Sequence, residues 1–405
     1  MCNLTEALIS EITKSCMSSY QNLPKSGKPL KEEWTVLSCV IQYNTVAKKH
    51  QVVSLGTGSK CIGASKMSPE GTILNDSHAE IFARRGFLIY LYNNITNSID
   101  NIESIFDKKD EKFELKKDIE FIFYSSQMPC GDASIIPKTE EDFGEVIVTE
   151  TNTAYTSCDL DIKRRKLDIH RTGAKCLSQI DPKGTGENYH IVGQVRTKPG
   201  RGDRTLSVSC SDKIARWIHV GIQGSLLDMF LCKPIFIKYF IFGAQMPYSV
   251  DTLNRAFLMR DCSISVENRL TEIPKFYQSS VKFMHSKGPE NVRPSAGSIV
   301  WVKSNKRLVE VAVHGKKLGV TKNKANSLSN SLCISKYNLY KIFQEVLLKN
   351  ELLYKRICDG ESLSNIPYNK MKQKSVRYQT HWCKTKEVFF QIWTSKPDIW
   401  NFTID

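Results

Sequence analysis

Residues 75–80, NDSHAE, stand at a change of rhythm in the chain. Before them, WTVLSCVIQY (34–43) and HQVVSLGTGSKCIG (50–63) have the β-branched content and alternation of strands. After them, HAEIFARRGFLIYLYNNI (78–95) repeats its apolar residues at helical intervals. A second junction follows, where DIEFIFYSS (118–126) reads as a strand running into QMPCGDAS (127–134). Strands that feed helices through short polar turns predict an α/β fold. One domain is expected over residues 1–405, with insertions near 98–118 and 139–188, the second carrying KRRK at 163–166.

Both junctions carry groups that bind metal. His78 and Glu80 are two residues apart, too close in phase to share one helix face, but at a helix start an imidazole can ligate while the carboxylate reaches a bound water. Zinc deaminases that act on bases follow His-x-Glu with Pro-Cys-x-x-Cys. Here Ala133 stands where the second cysteine would be, so either there is no metal site or a ligand comes from elsewhere. Cys210, in RTLSVSCSDKIARW (204–217), is a candidate: it ends a β-branched run and precedes Asp212, Lys213 and Arg216. A helix start among cations lowers a thiol's pKa toward the thiolate that binds zinc.

The 405 residues carry 57 Lys and Arg against 42 Asp and Glu, a formal net charge of +15. Residues 301–405 hold nineteen of the cations and eight of the acids, so most of the excess sits in the last quarter. That balance suits a polyanionic partner. The first twenty residues have acidic Glu6 and Glu11 and no unbroken apolar core, unlike a signal peptide. The most apolar stretch, MFLCKPIFIKYFIF (229–242), is broken by Lys233, Pro234 and Lys238. With thirteen scattered cysteines, these features predict an intracellular protein, in cytoplasm or nucleus, with reduced thiols and no membrane association. Nothing in the sequence marks an obligatory protein partner.

The blocks LNDSHAEIFARRGFLIYLY (74–92), PCGDAS (129–134), RTGAKC (171–176), KPGRGDRTLSVSCSDKIARW (198–217) and GIQGSLL (221–227) resemble, in order, those of the adenosine deaminases that act on RNA. The resemblance runs from about Trp34 to the C-terminus and is strongest in these blocks. It implies a zinc deaminase-type three-layer sandwich with a central mixed sheet and helices on both faces, zinc on His78, Cys130 and Cys210, and Glu80 as proton shuttle. It also implies inositol hexakisphosphate, a polyanion buried under the extended C-terminal part. Arg84, Arg85, Lys213 and Arg216 are either solvated or turned toward such an anion. The resemblance adds Trp217, Lys316, Tyr368, Lys372, Trp393 and Lys396 to its contacts. It makes Asp76 and Lys175 a relay between anion and metal and puts Lys60 at the substrate mouth. Ser395 stands where relatives can have an acidic residue.

Within the family, the branch acting on tRNA is favoured over the editors of double-stranded RNA. The pattern begins near Trp34, Ser134 stands where the editors typically have Arg, and DPKGTGENYHIVGQVRTKPGRGDR (181–204) is similar to the tRNA branch. The expected substrate is tRNA-Ala, at the adenosine immediately 3′ of the anticodon. Extruding a loop base is easier than flipping a paired one. Deamination of duplex RNA, or RNA binding without catalysis, are the alternatives.

Overall fold

The computed structural model describes residues 3–139, 168–200, 202–244, 246–260, 270, 272–304, 308–321, 324, 327–394 and 399–404. KRRK, Ser395 and Lys396 lie outside them. The main sheet is built from β1 (Leu37–Asn44), β2 (Lys49–Thr57), β3 (Ile119–Ser125), β4 (Tyr239–Phe242), β5 (Lys275–Gln278), β6 (Gly297–Val302), β7 (Leu308–Val313) and β8 (Lys316–Lys317). Its spatial order is β5-β4-β3-β1-β2-β6-β7-β8. β5, β4 and β3 run parallel, and the pairings from β3–β1 onward are antiparallel, which makes the sheet mixed.

The central strands are covered on both faces, so they read as nearly continuous apolar runs. Alternation sorts their side chains between two cores. Leu37, Cys39 and Ile41 of β1, with Ile122 and Tyr124 of β3, meet helix α1 (Glu6–Gln21) through Ile9, Ile12, Cys16 and Tyr20. Val40, Phe121 and Phe123 face the opposite, larger core. There they meet α2 (Ala79–Ile99), α3 (Cys210–Val220), α4 (Val250–Phe257) and α5 (Lys336–Leu348). Helices on both faces match the expected architecture.

The stretch 98–118, read as a loop, instead ends α2 and then forms a hairpin of Phe106–Lys109 and Lys112–Leu115. Phe106 and Phe113 are buried in the larger core, which overrides the high charge around them. The C-terminal segment folds back on the sheet-to-α2 junction. Trp400 Nε1 donates to Ser68 O at 3.0 Å, and Tyr368 stacks on Phe402 at 5.1 Å between ring centroids. Among the described residues no helix is long and apolar enough to cross a membrane.

Candidate metal centre and the basic cavity beside it

Three separate chain junctions meet at one point. His78 is the N-cap of α2, still in extended backbone at φ −68° and ψ 146°, and Glu80 lies in the first turn. Cys130 follows β3 and precedes a 3-10 turn, Asp132–Ser134. Cys210 is the first residue of α3, whose cap Ser209 accepts from Asp212 N–H. One donor atom from each of His78, Cys130 and Cys210 lies within 4.8 Å of the others. Nδ1 of His78 is 3.5 Å from Cys210 Sγ and 3.9 Å from Cys130 Sγ. The thiol of Cys130 also accepts from Cys210 N–H at 3.4 Å.

One imidazole and two thiols suit tetrahedral Zn²⁺, and three protein donors leave a position for water or substrate. Contact with Cys210 holds the Cys130 thiol well below its ordinary range against the effect of burial, with Lys198 and His78 reinforcing the shift. That favours the thiolate a metal requires. Glu80 is 3% exposed, burial raises its carboxyl pKa, and Oε2 has no hydrogen-bond partner. A buried, uncommitted carboxyl beside such a donor set is suited to carrying a proton.

The relay differs from expectation. Lys175 is exposed, and the lysine at the metal centre is Lys198. Its Nζ lies 2.8 and 2.7 Å from the Asp76 oxygens and 3.1 Å from Cys210 Sγ. Lys213 also bonds Asp76, whose Oδ1 accepts His78 N–H at 3.1 Å. Burial alone would raise the Asp76 carboxyl, but Lys198 and Lys213 hold it well below the carboxylate range. Burial would likewise discharge Lys198, but Asp76 and the two thiols keep it charged. Register explains the exchange: Lys175 pairs with Thr197, so Lys198, one residue on, takes the other side of that ladder. Arg196 and Lys198, two apart and both buried, are the signal that the sequence reading missed.

Lys60 sits on the short strand Ser59–Cys61, opposite Ser77 of Asp76–His78, and is half-buried beside the centre. Its place is compatible with the expected mouth.

Beneath Asp76 lies a cavity of about 260 Å³. Arg84, Arg85, Lys213, Arg216, Lys336 and Lys372 line it against one carboxylate, Asp76. Trp217, Tyr368 and Trp393 line it too, as expected, along with Tyr378. Arg85 Nη2 and Arg216 Nε are buried without hydrogen-bond partners. Burial pushes the Arg84 guanidinium down to about 10, with Arg85 and Arg216 adding to the shift. These cations ask for an anion. Lys316 does not join them: β8 holds it in the ladder opposite Val313, at the sheet edge, outside the lining residues. Lys336 does, although SKYNLYKIF (335–343) gives no local sign of it.

An imidazole, two thiols and a carboxyl gathered at strand-to-helix junctions define the class of metal-dependent base deaminases. The profile of the adenosine-deaminase (editase) domain matches residues 54–397, and the chain belongs to that family. It is 36% identical to tRNA-specific adenosine deaminase 1 of Drosophila melanogaster over 414 aligned residues, 98% of this chain and 97% of that protein. To the Homo sapiens protein of the same name it is 30% identical over 493, covering 96% and 98%. The double-stranded RNA-specific adenosine deaminase of Mus musculus is 31% identical over 256 residues, 62% of this chain and 20% of that protein.

Proposed function

We propose that the chain deaminates adenosine to inosine in tRNA by hydrolysis, at the adenosine immediately 3′ of the anticodon of tRNA-Ala. The observation that carries this reading is the cluster of His78, Cys130 and Cys210 with the unpartnered Glu80 carboxyl beside it. The near full-length relatives, named as tRNA-specific, support the substrate. The sequence blocks around 171–204 and Ser134 support the position in tRNA.

His78, Cys130 and Cys210 would hold Zn²⁺, which when bound supplies Lewis-acid activation of a water. The reaction adds water at C6 of adenine and releases ammonia. Glu80 Oε2 is placed to take one proton from the attacking water and deliver it to N1, and then to pass the second, from the new C6 hydroxyl, to the departing amine. Lys198 keeps a positive charge against Cys210 Sγ, which steadies the thiolate.

Inositol hexakisphosphate is the proposed occupant of the basic cavity, with Arg84, Arg85, Lys213, Arg216, Lys336 and Lys372 as its cationic contacts and Tyr368, Trp217 and Trp393 beside it. The orphaned N–H groups of Arg85 and Arg216 support a multiply charged anion there.

The test is inosine formation on an unmodified tRNA-Ala transcript, with a long RNA duplex in parallel. The wild type should form inosine next to the anticodon. Glu80→Ala should keep its zinc and lose about 10²–10⁴-fold in rate. Activity on the duplex alone would move the substrate to double-stranded RNA. Phosphorus analysis of acid-released ligand checks the cavity: absence of an inositol polyphosphate from active protein would remove that occupant.

A further inference from the structure

We infer that Thr172 and His190 are positioning residues for Cys130, acting through the Cys130–Gly131 peptide; the inference rests on the metal centre proposed above. That peptide is gripped at both ends. Cys130 O accepts from Ser211 N–H at 3.0 Å, one residue past the ligand Cys210. Gly131 N–H donates to Thr172 Oγ1 at 3.3 Å. Gly131 itself sits at φ 106° and ψ −143°, a conformation available in practice only to glycine. A Cβ there would stand 2.5 Å from Ser209 Cβ. Glycine permits this backbone but does not enforce it, so the two hydrogen bonds set where Cys130 points.

Thr172 is in turn fixed from behind. Its hydroxyl oxygen also accepts Ala174 N–H at 3.3 Å, and its own N–H donates to Nε2 of His190 at 3.2 Å. Since Nε2 accepts, the imidazole proton belongs on Nδ1, which faces Asp181 Oδ2 obliquely at 3.0 Å. Asp181 forks onto Arg196 at 2.7 and 2.8 Å, and that guanidinium side chain is fully buried. Arg171 lies 3.9 Å over the Tyr189 ring, so neighbouring residues on both segments, 171 with 189 and 172 with 190, are stapled together. Arg196 and Lys198 therefore steady both thiols from one stretch of chain. Lys198 touches Cys210 directly; Arg196 reaches Cys130 through Asp181, His190 and Thr172.

The measurement is zinc affinity, by competition of the purified protein with a chromophoric zinc chelator, alongside kcat and KM on the tRNA-Ala transcript. Thr172→Val keeps the side-chain shape and removes the acceptor. It should weaken zinc binding about tenfold or more and lower kcat while leaving KM unchanged. Thr172→Ser, which restores the hydroxyl, should behave as wild type in zinc affinity, in kcat and in the thermal midpoint of the zinc-free protein. If Thr172→Val does not fold, His190→Ala, which leaves the hydroxyl in place, is read in the same way. A wild type that holds zinc together with an unaffected Thr172→Val, or an unaffected His190→Ala, overturns this inference alone. A wild type without zinc removes the ground for both it and the proposed function.

Discussion

Arg196 and Arg85 are both buried guanidinium groups, and they are buried in opposite ways. Arg196 has the Asp181 carboxylate across its fork and the carbonyls of Ala174 and Ile191 besides. Burial lowers its pKa, but Asp181 more than reverses the shift and the group ends above its ordinary value. Arg85 bonds the carbonyl of Ile334, leaves Nη2 without a partner, and is pushed below its ordinary value by the same burial. A cation carrying its own counter-charge belongs to the scaffold. A cation buried without one declares a ligand from outside the chain.

The sharpest way to break this comparison is to remove the built-in counter-charge. Asp181→Asn should cost about 3–5 kcal/mol in urea unfolding near neutral pH, because it leaves Arg196 buried and uncompensated. Despite burial, the bonds from Arg196 and Ile191 N–H, with the His190 ring close by, hold the folded Asp181 carboxyl well below its ordinary range. A depressed folded pKa stabilises fully above the unfolded value, about 4, and progressively less below it. The gap between wild type and Asp181→Asn should therefore close as pH falls below about 4. A gap that widens there would contradict the ion pair.

The second prediction reverses sign with the ligand. In protein freed of the polyanion proposed for the cavity, Arg85→Met relieves an unpaired buried charge and should not lower stability. In loaded protein it removes a charge-assisted contact and should cost about 1.5–3 kcal/mol. Equal effects in both states would place Arg85 with Arg196 and erase the distinction. The smallest effect is expected at Lys175, which is exposed: Lys175→Ala should change stability by no more than about 0.5 kcal/mol and leave zinc affinity intact.

His78, Glu80 and Cys130 were legible in the sequence as a His-x-Glu and Pro-Cys pattern at the ends of strand-like runs, whereas Cys210 was one candidate thiol at a helix start that the family resemblance singled out. The helices on both faces followed from the resemblance. Lys198 was not, because the choice between it and Lys175 depends on the register of a two-residue ladder, and register is a property of pairing. The lining role of Lys336 was hidden too, since it depends on where a C-terminal helix docks. The hairpin at Phe106–Leu115 was obscured by the charged residues around its two phenylalanines, which are buried in the larger core.

The distances along the chain between the three metal donors have a consequence for biogenesis. His78 and Cys130 are separated by 52 residues and Cys130 and Cys210 by 80, and the three junctions that carry them meet only in the folded chain. No fragment ending before Cys210 can close the site. During synthesis the first imidazole and thiol emerge long before their third companion, and Lys336 and Lys372 of the cavity emerge later still. With zinc bound at the three donors as proposed, metal capture would mark the completion of long-range assembly, and zinc content would report how much of a newly made population has reached its final form.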